Sequence, residues 1–388
     1  MFSRRTDWKL TPNRFTQVQH ELRSAGRELL DLTVSNPTRA GLPYRADSIL
    51  ASLSHPEAMN YDPQPKGLIG ARQAIASYYR EQGGIEVNPE SLVLTTSTSE
   101  GYSYIFRLLC NPADEILVPK PSYPLFEFLA DLDDVTVVPY PLIYDHGWQV
   151  DFPSLQQALS PRTRALVLVH PNNPTGSYVS TGERTLLNTL CSEHNLALIV
   201  DEVFLDYPHD GVPRQSFVTN GEVLTFTLSG LSKISGLPQM KLAWVVVSGP
   251  EKLVAAAIER LEVIADTYLS INTPVQLAAS ALLGERRNIQ PLLLERVRGN
   301  LGELDRRLGK QKSCQRLLVE GGWYAVLRVP VTQSDEELAI DILRKASVLV
   351  HPGHFYDFPI DGYLIVSLLT PAEEFRQGIE RTLQLLNR

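Results

Sequence analysis

The stretch "LALIVDEVFLDY", residues 196–207, runs five apolar residues straight into Asp201 and Glu202. A strand with one wet face would alternate apolar with polar side chains. A short unbroken apolar run instead reads as a strand covered on both faces, as in a parallel sheet with helices above and below. The two carboxylates then fall at its carboxyl end, the edge where open α/β sheets bind their ligands.

The same texture recurs on either side. Strand-like runs stand at "SLVLTT" (91–96), "EILVP" (115–119), "VTVVPY" (135–140), "RALVLVH" (164–170), "EVLTFTLSG" (222–230) and "KLAWVVVSG" (241–249). Helical spacing predicts helices over 67–81, from about Ser99 to Leu109, after Tyr123 and near 181–194. This alternation predicts an α/β fold with a mostly parallel sheet in a large domain. From 250 to about 310 the chain reads as almost wholly helical. The remainder, with "GWYAVLRVP" (322–330), a helix near 334–345, "VLVHPG" (348–353), "DGYLIVSLLTP" (361–371) and a last helix, reads as a small α+β domain. The division expected is an N-terminal arm, 1–45, a large domain, 46–285, and a small C-terminal domain, 286–388, with the boundary in a long helix near 275–305.

A net charge of −8 over 388 residues argues against nucleic-acid binding, which needs a basic face to neutralise phosphates. Cys110, Cys191 and Cys314 are odd in number and far apart, so they suggest neither a disulfide framework nor a metal site. "MFSRRTDWKL" lacks the apolar core of a signal peptide, and no run has the length of a membrane span, so a cytoplasmic protein is expected.

Polar residues cluster where the strands end. Lys233 stands in the Ser/Gly-rich "SGLSKISGLPQMKLAW" (229–244), where Ser229, Gly230 and Ser232 suit a phosphate as well as a simple turn. A lysine in a loop is ordinarily a solvated charge. Asp201 could be a helix cap, or it could hold the proton on a cationic ring nitrogen of an electron-sink cofactor. Asn173 in "HPNNPTGS" (170–177) lies among plain turn formers, or points its amide at a ligand. Thr98 and Ser99 in "TTSTSEGYS" (95–103) are candidate caps of a helix whose start could take a phosphate. Tyr123 in "PKPSYPLF" (119–126) is a stacking face or merely core.

Taken in order, "YDPQPKGLIGARQAIASYY", "TTSTSEG", "PSYP", "HPNNPTG", "VDEV" and "SGLSKISGLPQMK" resemble the class I/II aminotransferase family of fold-type I, pyridoxal-phosphate-dependent enzymes, over almost the whole chain. The resemblance implies a seven-stranded-type sheet and the cofactor pyridoxal 5'-phosphate. It implies that Lys233 forms the Schiff base and then shuttles protons, and that Asp201 keeps the pyridinium nitrogen protonated. Asn173 matches a donor to the ring's phenolic oxygen and Tyr123 the stacking aromatic. Thr98, Ser99 and Glu100 match the phosphate-binding helix start, with Ser229 and Ser232 nearby. Tyr61 matches a tyrosine that reaches the neighbouring subunit's phosphate, which implies a homodimer with shared sites. The implied partners are a small-molecule amino donor and a keto or aldehyde acceptor, with no nucleic acid and no membrane.

Three positions depart from the family. Phe204 replaces a tyrosine that donates to the phenolic oxygen, and a hydrogen bond to a charged group is worth roughly 1.5–3 kcal/mol. Lys241 replaces a phosphate-gripping arginine and cannot form its bidentate fork. Ile365, in "YLIVSLLTP", aligns with the arginine that clamps the substrate's α-carboxylate. Ile365 is therefore expected to face the substrate cavity. On the N-terminal arm Arg14 or Arg39 could supply the missing cation, the latter beside "VSNPT", whose Ser35, a further expected substrate residue, stands where the family often has glycine. Three readings remain open from sequence: an aminotransferase with an atypical substrate, a lyase, decarboxylase or oxidase-like enzyme on the same scaffold, and a non-catalytic cofactor-binding module.

Overall fold

The computed structural model describes residues 1–211 and 214–387. Strand β1 (Leu30–Asp31) is followed by β2 (Leu92–Thr95), β3 (Glu115–Lys120), β4 (Thr136–Tyr144), β5 (Trp148–Val150), β6 (Thr163–Val169), β7 (Ala197–Asp201), β8 (Thr225–Gly230) and β9 (Ala243–Ser248). The last eight of these form one sheet in the order β2-β9-β8-β7-β6-β3-β4-β5. Pairing is parallel from β8 across to β4, whereas β9 runs antiparallel between β2 and β8. The eighth strand is the short β5, which folds back on β4 as an antiparallel edge. Its three residues carry too little pattern to be read from sequence alone.

Both faces of this sheet are buried, as the unbroken apolar runs require. Ile199, Val167, Phe226 and Leu228 pack under the helices Thr98–Leu109 and Glu251–Tyr268. The alternate residues Leu198, Val200, Leu166 and Leu168 pack under Thr181–Glu193. Farther along, Leu92, Leu94, Trp244 and Val246 meet the helix Ile69–Gly83, where the Trp244 indole N–H donates to the Tyr79 hydroxyl at 2.9 Å. Burial of such side chains at roughly 25 cal/mol per Å² dominates the stability of the layer.

The stretch expected to be almost wholly helical, 250 to about 310, is filled by four helices, Glu251–Tyr268, Thr273–Leu277, Ala279–Gly284 and Arg286–Leu308, and the long helix expected near 275–305 begins only at Arg286. The first stops where Leu269 turns left-handed (φ 46°), and Asn272 caps the second through the Val275 N–H. Beyond them β10 (Gln315–Arg316), β11 (Tyr324–Arg328), β12 (Val348–Leu349), β13 (His351–Pro352) and β14 (Tyr363–Ser367) complete the strands. Four make a second sheet in the order β10-β11-β14-β13, while β12 pairs in parallel with β1. The segment after β1 is also tied to this small sheet. The Ser367 hydroxyl donates to the Val34 carbonyl at 2.5 Å and the Thr370 hydroxyl to the Asp31 carbonyl at 3.0 Å.

Candidate active site

The carboxyl ends of β2, β3, β6, β7 and β8 deliver side chains to one cavity of about 290 Å³. Its wall includes Ser35, Thr98, Ser99, Tyr123, Asn173, Asp201, Phe204, Ser232 and Lys233, so nine residues singled out in the sequence meet there. Lys233 lies in the short helix Leu231–Ile234 immediately after β8, and the Tyr207 hydroxyl donates to its carbonyl at 2.6 Å. Its ammonium sits 5.0 Å from the Trp323 ring centre and 5.2 Å from that of Phe204. Burial pulls the Lys233 amine down to about 8, against the opposing charge of Asp201.

Asp201 ends β7. Its Oδ1 accepts the Val203 N–H at 3.0 Å and its Oδ2 the Tyr102 hydroxyl at 3.3 Å. Burial pushes this carboxyl up to about 6, less than it otherwise would because those two donors and Lys233 favour the charged form. Its sequence neighbour Glu202 takes no part in the cavity wall. It accepts from the Phe217 N–H and the Ser216 hydroxyl, both at 2.6 Å.

The helix Thr98–Leu109 is capped by Ser97, not by Thr98 or Ser99 as expected: the Ser97 hydroxyl accepts the Glu100 N–H at 3.2 Å. That leaves Thr98 and Ser99 as the first helical residues, whose N–H groups have no intrahelical partner and suit an anion. The Glu100 carboxylate turns away from the cavity, accepting from the Thr96 N–H and the Ser270 hydroxyl at 2.7 and 2.8 Å. A carboxylate there would repel a phosphate, so this corrects the expectation for its side chain. Ser229 is buried within β8, and Gly230 stands in the wall instead.

Three further expectations change. Ile365 is 1% exposed, pairs across the sheet with Val326 and His351, and belongs to the apolar core around that sheet, so it does not line the cavity. An isoleucine in a middle strand gains most by being covered on all sides. Lys241 is exposed in a left-handed turn (φ 52°) and lies outside the wall. Tyr61 is 81% exposed and also stands apart from the cavity of its own chain. Neither proposed substitute cation reaches the wall. Arg14 pairs with Glu337, and Arg39 is exposed on the turn Pro37–Arg39. Among the described residues, Lys233 is the one cation in the lining.

Sequence reasoning missed Tyr102, Phe126 and Tyr324, all of which line the cavity. Tyr102 falls within the helix expected from about Ser99 to Leu109, and nothing local marks it, because its partner Asp201 lies 99 residues away. The donor set fits pyridoxal phosphate. A partly buried amine and a partly buried carboxylate share the cavity, the Asn173 amide stands in the same wall, and the helix start offers free amides.

The sequence profile described as aminotransferase class I and II matches residues 27–381. Glutamate-pyruvate aminotransferase AlaA of Escherichia coli K12 is 27% identical over 378 residues, spanning 94% of this chain and 92% of that protein. An alanine aminotransferase of Mycobacterium tuberculosis H37Rv is 28% identical over 371 residues, spanning 93% and 86%. Among solved structures, an Escherichia coli aminotransferase superposes with a TM-score of 0.86 at 25% identity, covering 100% of this chain and 98% of its own. A Pyrococcus furiosus alanine aminotransferase superposes at 0.91 with 24% identity and complete coverage of both, which shows the shared fold.

Proposed function

The chain belongs to the class I and II aminotransferases, pyridoxal-phosphate-dependent enzymes, and we propose that Lys233 and Asp201 carry its amino transfer. The carrying observation is that these two partly buried, oppositely charged groups share one cavity at the carboxyl edge of the sheet. When bound, the cofactor supplies an electron sink for the bonds at the donor's amine-bearing carbon. Lys233, lowered to about 8 by burial, holds a neutral fraction at neutral pH and can take up or return a proton at Nζ. Asp201 would accept at the ring-nitrogen end, and the Asn173 amide and Tyr123 ring would orient the same group, with Thr98, Ser99 and Ser232 available to hold the phosphate.

The substrate we propose is a small amino compound whose far end is not clamped by a guanidinium of this chain. This reading is supported by a wall in which, among the described residues, Lys233 is the single cation and the remaining polar groups include the hydroxyls of Ser35, Tyr123 and Tyr324. Ile365, packed in the apolar core, leaves no charge in the strand that would supply one. Because the relatives include alanine and glutamate-pyruvate aminotransferases, alanine and glutamate are the reference donors. The protein is further proposed to act as a homodimer in a reducing compartment, which the three free thiols support.

The test supplies loaded enzyme with alanine, glutamate, and amines or amino alcohols of matched size, with and without a keto-acid acceptor. Acceptor-dependent appearance of the new amino acid is expected, fastest with the donors that lack a carboxylate. Ammonia released without acceptor would instead mark elimination or oxidation. Faster turnover of alanine than of its amino alcohol would overturn the substrate assignment and leave transamination standing.

A further inference from the structure

Tyr102 is buried, and its ring is boxed by Phe126 (centroids 5.3 Å apart, 83°) and Phe106 (5.9 Å, 47°). Its hydroxyl reaches Asp201 Oδ2 at 3.3 Å, in the same wall as Asp201, Phe204 and Lys233. Gly101 permits this approach. A Cβ there would stand 2.7 Å from Leu228 Cδ2 and 3.2 Å from Val245 Cγ2, so the helix lies closer to the sheet than a larger residue would allow. Tyr102 is therefore buried, packed between two rings and in hydrogen-bond contact with Asp201.

We propose that Tyr102 is a positioning residue which, through its hydrogen bond to Asp201, keeps the proton on the cofactor's ring nitrogen rather than on the carboxylate. The inference rests on Asp201 being the partner of that nitrogen. A proton shared between a ring nitrogen and a carboxylate moves toward the nitrogen when the carboxylate's charge is stabilised. Burial of Asp201 works against this, and the Tyr102 hydroxyl and the Val203 N–H work for it. The arrangement also answers the loss of a hydroxyl at Phe204. With one donor fewer on the phenolic side of the ring, a donor behind the nitrogen side's carboxylate restores acidity to the bound imine from the opposite end.

The experiment titrates the visible absorbance of the cofactor-loaded protein against pH. Tyr102→Phe preserves the ring and its packing, so the absorbance midpoint is expected to rise by about one pH unit, the shift a hydrogen bond to a charged group can produce. Turnover should fall several-fold with little change in KM. Site-specific 3,5-difluorotyrosine at position 102, a stronger donor of similar shape, is expected to lower the midpoint, which no purely structural role would do. Asp201→Asn separates the two levels of the argument. A midpoint that moves in Asp201→Asn but stays fixed in both Tyr102 variants overturns the role of Tyr102. A midpoint that does not move even in Asp201→Asn overturns the assignment of Asp201 itself.

Discussion

Lys233 was legible as a candidate because of its neighbours, but its chemistry depends on burial, which a sequence does not print. With the amine lowered to about 8, the unprotonated nucleophile grows as pH rises toward that value. Cofactor-free protein mixed with pyridoxal phosphate should therefore develop its visible band about tenfold faster for each pH unit below 8, levelling above it. Lys233→Ala should develop none. A loading rate that kept rising tenfold per pH unit well beyond 8, instead of levelling there, would show that the amine is not perturbed. Asp201 works in the opposite direction on stability. Its carboxyl is raised in the folded chain, so the stability it contributes is complete below its unfolded value and is lost as pH rises through about 6. The cofactor-free protein thus carries a cost at neutral pH that the bound ring nitrogen can relieve. Ile365 shows where residue-level alignment stopped short. A motif places a residue in a row, but whether its side chain meets ligand or core is decided by what packs on that strand. Ile365→Arg is expected to cost roughly 3 kcal/mol or more by burying an unpaired charge, read as a lower denaturant midpoint. An unchanged midpoint together with faster use of alanine would return position 365 to the substrate wall.

At the level of elements, the parallel strands were legible because both faces are apolar, and the carboxyl-edge clustering followed from them. What escaped was set by pairing over distance. Strand β9 reads like its neighbours yet runs antiparallel, and β1 is two residues whose partner lies more than 300 positions away. The helix Thr98–Leu109 joins fold to site, since its start faces the cavity and its third-turn side chains face the sheet. Gly101→Ala should push it outward, lowering stability by about 1–3 kcal/mol and weakening cofactor binding in proportion to the displaced first-turn amides. Gly302 is the matched control. It lies exposed inside Arg286–Leu308 with no atom within 4 Å of an added Cβ, so Gly302→Ala should gain roughly 0.5–1 kcal/mol and leave cofactor affinity alone. Paired denaturation curves and cofactor titrations read both effects. If Gly101→Ala matches Gly302→Ala in sign, the close approach of helix to sheet is not what positions the site.

For the whole molecule, the features left over by a single chain point to a second copy. Tyr61 is 81% exposed and Met59 90% exposed, on the segment leading into the helix Ile69–Gly83, while among the described residues the cavity wall holds hydroxyls but no cation beyond Lys233. Large apolar side chains exposed together are the usual mark of a covered surface. In the proposed dimer each cavity is completed by the Tyr61 of the other subunit, and the symmetry of a two-fold interface makes the exchange reciprocal. Complementation tests this directly. Lys233→Ala and Tyr61→Ala are each expected to be severely impaired, because every cavity of either homodimer lacks one part. Unfolding and refolding the two together gives hybrids in half of the dimers, each with one cavity that has both Lys233 and Tyr61. Activity should return to about a quarter of the wild-type level, since one site in two is intact in one dimer in two. Refolding each variant alone should return none. If the mixture recovers no more than the mean of its parents while sedimentation shows that hybrids have formed, Tyr61 serves its own chain or none. The cavity would then be complete within one subunit, and the exposed segment around Tyr61 would need another partner.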